Sequence, residues 1–305
     1  MIGFNNATSA FYDRSIGDLT SLRKSAEGLQ QQISSGQKLA KSSDDPVAAA
    51  RLRTLARADT LTAVDQSNTD SAQTDLNLTD GVLSDLVTAV SRAQTLATQA
   101  ASGTLTDAQR AAIGSEIGQI HDQVLQLANS RDGSGNALFG GQTAGAAYTL
   151  DSSGNAVYAG TASAGQVQLG EGQTVTRAMT GSQVFGGDGT STPDLLSTLK
   201  TLADALQGGS TNPQGAAQSA LSALSSGFDT ITTAQTVVGA RLNFIDLANQ
   251  HRQSVSDLRA SEQSAIGGTD ITGAVARLQQ TMLVLQASQA SFTRLASLSL
   301  FNALG

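Results

Sequence analysis

Near the N-terminus, apolar residues recur at Leu19, Leu22, Ala26, Leu29 and Ile33, spaced 3, 4, 3, 4. That narrow seam, with Gln30, Gln31 and Gln32 beside it, predicts a helix of coiled-coil type. The C-terminal stretch repeats the pattern at Ile271, Val275, Leu278, Met282 and Leu285, then Phe292, with Gln289 interrupting. Further apolar positions follow at Leu295, Leu298, Leu300 and Phe301. One such seam alone is an ordinary core-facing helix. Two at opposite ends of one chain point to a terminal helix pair shared with other subunits.

The interior reads as longer helices. Between Pro46 and Ser102 the strongest breaker is Gly81, and Leu76, Leu83, Leu86, Val90, Ala93 and Ala97 lie on one face. About fifty helical residues span roughly 75 Å, a rod rather than a globule. Thr106 and Gln109 form a capping box before the seam Ile113, Ile117, Ile120, Val124 and Leu127. That helix stops at "NSRDGSGN". From Asp132 to Pro193 lie 14 of the chain's 31 glycines and a single basic residue, Arg177. Alternating pieces such as "AAYTL", "NAVYAG", "GQVQLG" and "QTVTRAM" predict short strands joined by turns like "DSSGN". Helices resume after Pro193 and Pro213, the second covering Ala216 to about Ile266.

The three prolines share one context, Asp45–Pro46, Thr192–Pro193 and Asn212–Pro213. Proline suits the first helical position and Asp, Thr or Asn can cap the free N–H groups, so each dipeptide predicts a helix start. Asp44 and Asp45 also stand where the helix dipole favours anions.

Composition narrows the partners. The chain is 39% hydrophobic but only 4% aromatic, without Trp or Cys, so its core is mostly Leu, Ile, Val and Ala. A net charge of −7 with no long basic run argues against nucleic acid. Apolar runs reach about five residues, far below the ~20 of a membrane span, so no membrane insertion is expected. The start, "MIGFNNATSAFYDRSIG", has neither a basic n-region nor an apolar h-region, which implies export without a cleaved signal if the chain leaves the cell.

No chemistry-bearing constellation emerges. Adjacent aspartates in a capping conformation point apart and chelate one metal poorly, and no calcium-hand loop follows them. His121 and His251 lack neighbours at zinc-ligand spacing and are expected to be exposed or partly packed. GxGxxG after a strand, GxxxxGK[ST] and GxSxG are missing, and "FGG" at 139–141 and "VFGG" at 184–187 read as turns with an aromatic anchor. The expectation is a non-enzyme without cofactor or metal.

Read together, "LQQQISSGQKLAKSSDDPVAAARL" and the distant "LQASQASFTRLASLSLFNALG" resemble the flagellin superfamily. Asp44, Asp45, Pro46 and Val47 followed by alanines are similar to the branch that joins hook to filament. "NALFGG", "GSQVFGG" and "VVGARLNFID" are further family-like segments, while Gly273 stands where members commonly carry an acidic residue. The resemblance implies an extracellular axial protein of the bacterial flagellum, exported through the type III channel. Its partners would be further copies of itself in a helical array, a neighbouring hook-associated protein and flagellin, and an export chaperone at the C-terminal region.

The expected fold is mainly α with a small β-rich insertion, an elongated rod of long antiparallel helices whose terminal helices form a coiled coil on assembly. Residues 1–42 and 270–305 would be inner-tube helices, disordered in the monomer. Residues 43–141 and 193–269 would be the helical rod, and 142–192 a β-rich outer domain. The joint is Asp44, Asp45 and Pro46. A filament-forming flagellin is the alternative function, and a surface-binding module built on the β-rich middle is a weaker one.

Overall fold

The computed structural model describes the backbone of residues 3–187 and 194–304 and the side chains of 10–187 and 194–295. Helices dominate it: α1 (Gly3–Ser35), α2 (Pro46–Ala100), α3 (Asp107–Ala128), α4 (Gly181–Phe185), α5 (Leu195–Asp204), α6 (Pro213–Gly267) and α7 (Ile271–Leu304). The strands β1 (Tyr148–Leu150) and β2 (Ala156–Tyr158) form one antiparallel hairpin, β3 (Gln166–Gly170) and β4 (Gln173–Thr176) another. The fold is mainly α with a small β-rich insertion, and α4 adds a helical turn to that insertion.

Helix starts follow the proline logic at two of three places. Asp45 Oδ1 accepts N–H bonds from Val47 (3.1 Å) and Ala48 (3.0 Å) at the start of α2. Asn212 Oδ1 accepts from Gly215 N–H (2.9 Å) at the start of α6. Thr192 and Pro193 lie outside the described residues, and α5 takes Asp194 as its cap, through Ser197 N–H at 2.7 Å. The Thr106–Gln109 capping box is present on α3. Helix α2 runs unbroken through Gly81, where an added Cβ would meet open space.

The chain divides into two compact units, residues 61–253 and residues 1–60 with 254–305. In the first, Leu76, Leu83, Leu86 and Val90 of α2 share one core with Ile117 and Val124 of α3, Leu196, Leu199 and Leu202 of α5, and Ile231, Val238 and Ile245 of α6. Each fully buried aliphatic side chain contributes about 1.5–3 kcal/mol relative to exposure. Small residues set the spacing: a Cβ at Gly114 of α3 would come within 2.9 Å of Leu206 Cβ. Phe139 and Phe185 pack edge to face at 5.7 Å, with Tyr148 against Phe185 at 5.4 Å. His121 is buried rather than exposed: only Nδ1 has a partner, Asp122 Oδ1 at 3.0 Å, while Nε2 is buried without one. Its position between Ile120 and Val124 on the inward face of α3 accounts for the burial.

The β-rich region contains a duplication. Residues 131–141, "RDGSGNALFGG", and 150–160, "LDSSGNAVYAG", fold into the same turn. In each, an aspartate (Asp132 or Asp151) accepts from the N–H groups of Ser134 and Asn136, or Ser153 and Asn155, all at 2.8 Å. The asparagine amide returns a bond to the same carboxylate at 3.2 Å and 3.0 Å. These donors favour the ionised form. Asp151 is held below the usual carboxylate range, chiefly by the Asn155 side chain. For Asp132 burial pulls upward, but the Asn136 and Ser134 donors and Arg177 prevail and its pKa is lowered.

Candidate assembly interface

Residues 1–60 and 254–305 hold most of the positions singled out by the sequence pattern. Helices α1 and α7 lie against each other and run antiparallel. Tyr12 near the start of α1 packs edge-on against Phe292 of α7, centroids 5.4 Å apart. At the other end, Thr269 N–H donates to Gly36 O at 3.0 Å.

On α1, Ala26 is buried and Leu19, Leu22, Leu29 and Ile33 are half-buried. On α7, Ala274 and Leu285 are buried, and Leu278 and Phe292 are half-buried. Ile271, Val275, Met282 and Leu295 are exposed, as are Leu283 and Val284, which the spacing argument passed over. A 100° step per residue puts Met282 about 60° and Val275 about 80° from Leu285 around the helix. The apolar stripe of α7 is thus wider than one partner helix covers. The side chains of Leu298, Leu300 and Phe301 lie outside the described residues.

Energetically this unit is thin. Among its described residues the buried apolar side chains are Ala26, Ala49, Leu55, Ala274 and Leu285, only two of them large. Against these stand exposed Phe11, Ile16, Val47, Leu258 and Leu283, with Val47 80% exposed. A helix pair that buries one face so sparingly gains little beyond the conformational entropy it costs.

The joint is built from backbone bonds. Gly36, with φ of +68°, ends α1 in the left-handed region where a Cβ is strained. The chain then pairs with the α6–α7 connection: Lys38 N–H donates to Gly267 O at 2.7 Å, and Gln37 bridges Gly268. Asp44 closes the following turn, its Oδ2 accepting from Ala40 N–H (3.1 Å) and Lys41 N–H (2.8 Å). Asp44 therefore shapes the turn while Asp45 caps α2, and both carboxylates are committed to backbone donors. Beyond the joint, Arg51 forks onto Glu262 at 2.6 and 2.9 Å, and Asp59 meets Gln263 at 2.6 Å and Arg259 at 3.3 Å. The Arg51 hydrogen bond holds the Glu262 carboxyl below its usual value, and the same contact raises Arg51. Asp270 caps α7 through Gly273 N–H at 3.1 Å.

Among the described residues no three His, Asp or Glu side chains gather to hold a metal ion, and no helix is long and apolar enough to cross a membrane. What the unit offers is surface.

The bacterial flagellin N-terminal helical region matches residues 12–144, which run from α1 through α3 into the first repeated turn. Over that stretch the chain is similar to bacterial flagellins. Flagellar hook-associated protein 3 of Escherichia coli is 25% identical over 97% of this chain and 98% of its own length. Its counterpart in Salmonella typhimurium is 32% identical over 135 residues, 44% of this chain and 43% of that protein. A candidate flagellar hook-associated protein of known structure from Vibrio parahaemolyticus superposes with a TM-score of 0.68 at 26% identity, covering 74% of this chain and all of that one.

The sequence reading missed the pairing of Gln37 and Lys38 with Gly268 and Gly267, and the duplicated turn. The second was legible: Asp-x-Ser-Gly-Asn-Ala recurs 19 residues apart in the bonded pairs Asp132–Asn136 and Asp151–Asn155.

Proposed function

We propose that this chain is a structural axial subunit of the bacterial flagellum that joins hook to filament by helical self-assembly of α1 and α7. The observation that carries the reading is the apolar stripe of α7, of which α1 covers only the part centred on Ala274, Leu278, Leu285 and Phe292. Covering the rest requires other copies, and contacts of this heterologous kind extend into a helical array. The relatives named hook-associated protein 3 support the junction over other axial positions.

On this reading the chain works outside the cell, in the flagellum, after export without a cleaved signal. Its neighbours are further copies of itself, another hook-associated protein and flagellin, and a chaperone holds the C-terminal region before export. The terminal segments order as they assemble. The role is structural rather than enzymatic. The match to the flagellin N-terminal region keeps a filament-forming flagellin as the second reading.

Exposed α7 positions test the interface. Met282→Asp leaves the α1-facing seam intact and is expected to abolish assembly onto isolated hooks while the circular dichroism melt of residues 61–253 is unchanged. Normal assembly of Met282→Asp subunits would remove α7 from the interface.

A further inference from the structure

Within residues 61–253, α2 and α6 run antiparallel with a heptad seam on α6: Leu224, Ile231, Val238 and Ile245 recur every seven residues. Between them fall Gly227, Ala234 and Arg241, whose Nη1 donates to Ala178 O at 3.1 Å, and Ala248 follows Ile245. On α2, Leu76, Leu83, Leu86 and Val90 belong to the same core, and Thr79 is buried as well. Away from its two arginines, such a seam of aliphatic and small residues specifies the face but not the level. A slide of one heptad, about 10 Å along the axis, matches apolar to apolar again.

The next α6 seam position after Ile245 is Arg252. Its guanidinium is half-buried, and both Nη atoms are engaged. Nη1 donates to Gln66 Oε1 (2.7 Å) and Asn249 Oδ1 (2.6 Å), and Nη2 to Thr69 Oγ1 (2.9 Å) and Leu169 O (2.6 Å). Thr69 is itself fully buried. Leu169 lies at the tip of the β3–β4 hairpin, so one side chain ties α6 to α2 and to a third element. The tip is fitted to this place. Gly170, Glu171 and Gly172 have φ of +100°, +51° and +77°, and a Cβ at Gly170 would come within 2.5 Å of Asp65 Oδ2 on α2. Glu171 also meets His251 of α6 at 3.4 Å. One turn further, Gln73 of α2 donates to Asp246 of α6 at 3.3 Å.

We propose that Arg252, clasped by Gln66, Thr69 and the Leu169 carbonyl of the β3–β4 hairpin, is the register lock of the α2–α6 helix pair. Sliding α6 one heptad in one direction carries the guanidinium into the aliphatic seam at the level of Leu76. Sliding it the other way sets Ile245 against Gln66 and Thr69. Either slip separates Arg252 from the acceptors that satisfy it in the observed level, which is how a polar seam position selects a single register. The hairpin supplies a fixed acceptor that does not travel with either helix. Its role is positional: it holds the level at which the helix pair presents its outer faces.

The absence of cysteine makes the test direct. Nitroxide labels at Asp80→Cys on α2 and Asn243→Cys on α6, both exposed and outside the cluster, report the axial level by electron–electron distance measurement in the full chain diluted into unlabelled chain. The otherwise native sequence is expected to give one narrow distance. Arg252→Met, which keeps an unbranched apolar stem, is expected to add a second distance population while the helix content is retained. Gln66→Leu with Thr69→Val removes the acceptors and is expected to do the same, so it carries the test if Arg252→Met fails to fold. A single unchanged distance in the folded acceptor variant overturns the proposal.

Discussion

At the residue scale, Asp45 and Asp44 show how two identical side chains side by side take different work. Asp45 satisfies the free N–H groups that open α2, while Asp44 closes the turn from Ala40 to Asp44. Asp45→Ala is expected to cost about 0.5–2 kcal/mol of stability, read by chemical denaturation, because the cap is lost without a replacement acceptor. An unchanged denaturation midpoint would mean that the cap contributes nothing measurable to folding. The Asp151 turn makes a pH prediction. Its folded pKa is depressed, so the stabilisation is present above the unfolded carboxyl value and is lost as pH falls through the folded one. Asn155→Ala removes the main cause and is expected to move the Asp151 carboxyl titration upward, followed by carbon-13 NMR. An unmoved titration would assign the shift to the remaining backbone donors. The capping role of Asp45 was legible because Asp-Pro before an alanine run has a local meaning. The turn made by Asp44 was not, since its donors are backbone groups three and four residues upstream. His121 misled for a related reason: local spacing does not say which helix face is inward until the neighbours are placed.

At the element scale, the heptads at both ends of the chain read directly as α1 and α7, and the turn-rich middle as β1–β4. Composition alone does not divide the α7 stripe. Ile271, Val275, Leu278, Met282 and Leu285 form one seam on paper, yet only Leu278 and Leu285 are covered to any degree by α1. The rest is left exposed. Leu285→Asp puts a charge in the buried part of that seam and is expected to unpair α1 from α7, block assembly and leave residues 61–253 folded. The measurement is hydrogen exchange, with protection lost across 3–35 and 271–304 and kept across 72–100. Protection retained in the terminal helices would place Leu285 outside their packing. The strap of Gln37 and Lys38 on Gly267 and Gly268 was illegible in the sequence, because it rests on main-chain groups brought together over more than two hundred residues.

At the scale of the whole molecule, the two units differ in how they are stabilised. Residues 61–253 have a continuous core of aliphatic side chains closed by an aromatic cluster. Residues 1–60 and 254–305 bury little and expose Phe11, Ile16, Val47, Leu258 and Leu283. Apolar burial is thus sparse at the ends of the chain and dense in the middle. The central claim is that the terminal helices drive assembly at the hook. The measurement that tests it most directly is electron microscopy of isolated hooks incubated with the full-length chain or with a chain lacking residues 1–40 and 271–305. The account predicts short caps at hook tips with the full-length chain and bare hooks with the truncated one. Caps that survive the truncation would contradict it, and long filaments from the full-length chain alone would assign the protein to the filament instead.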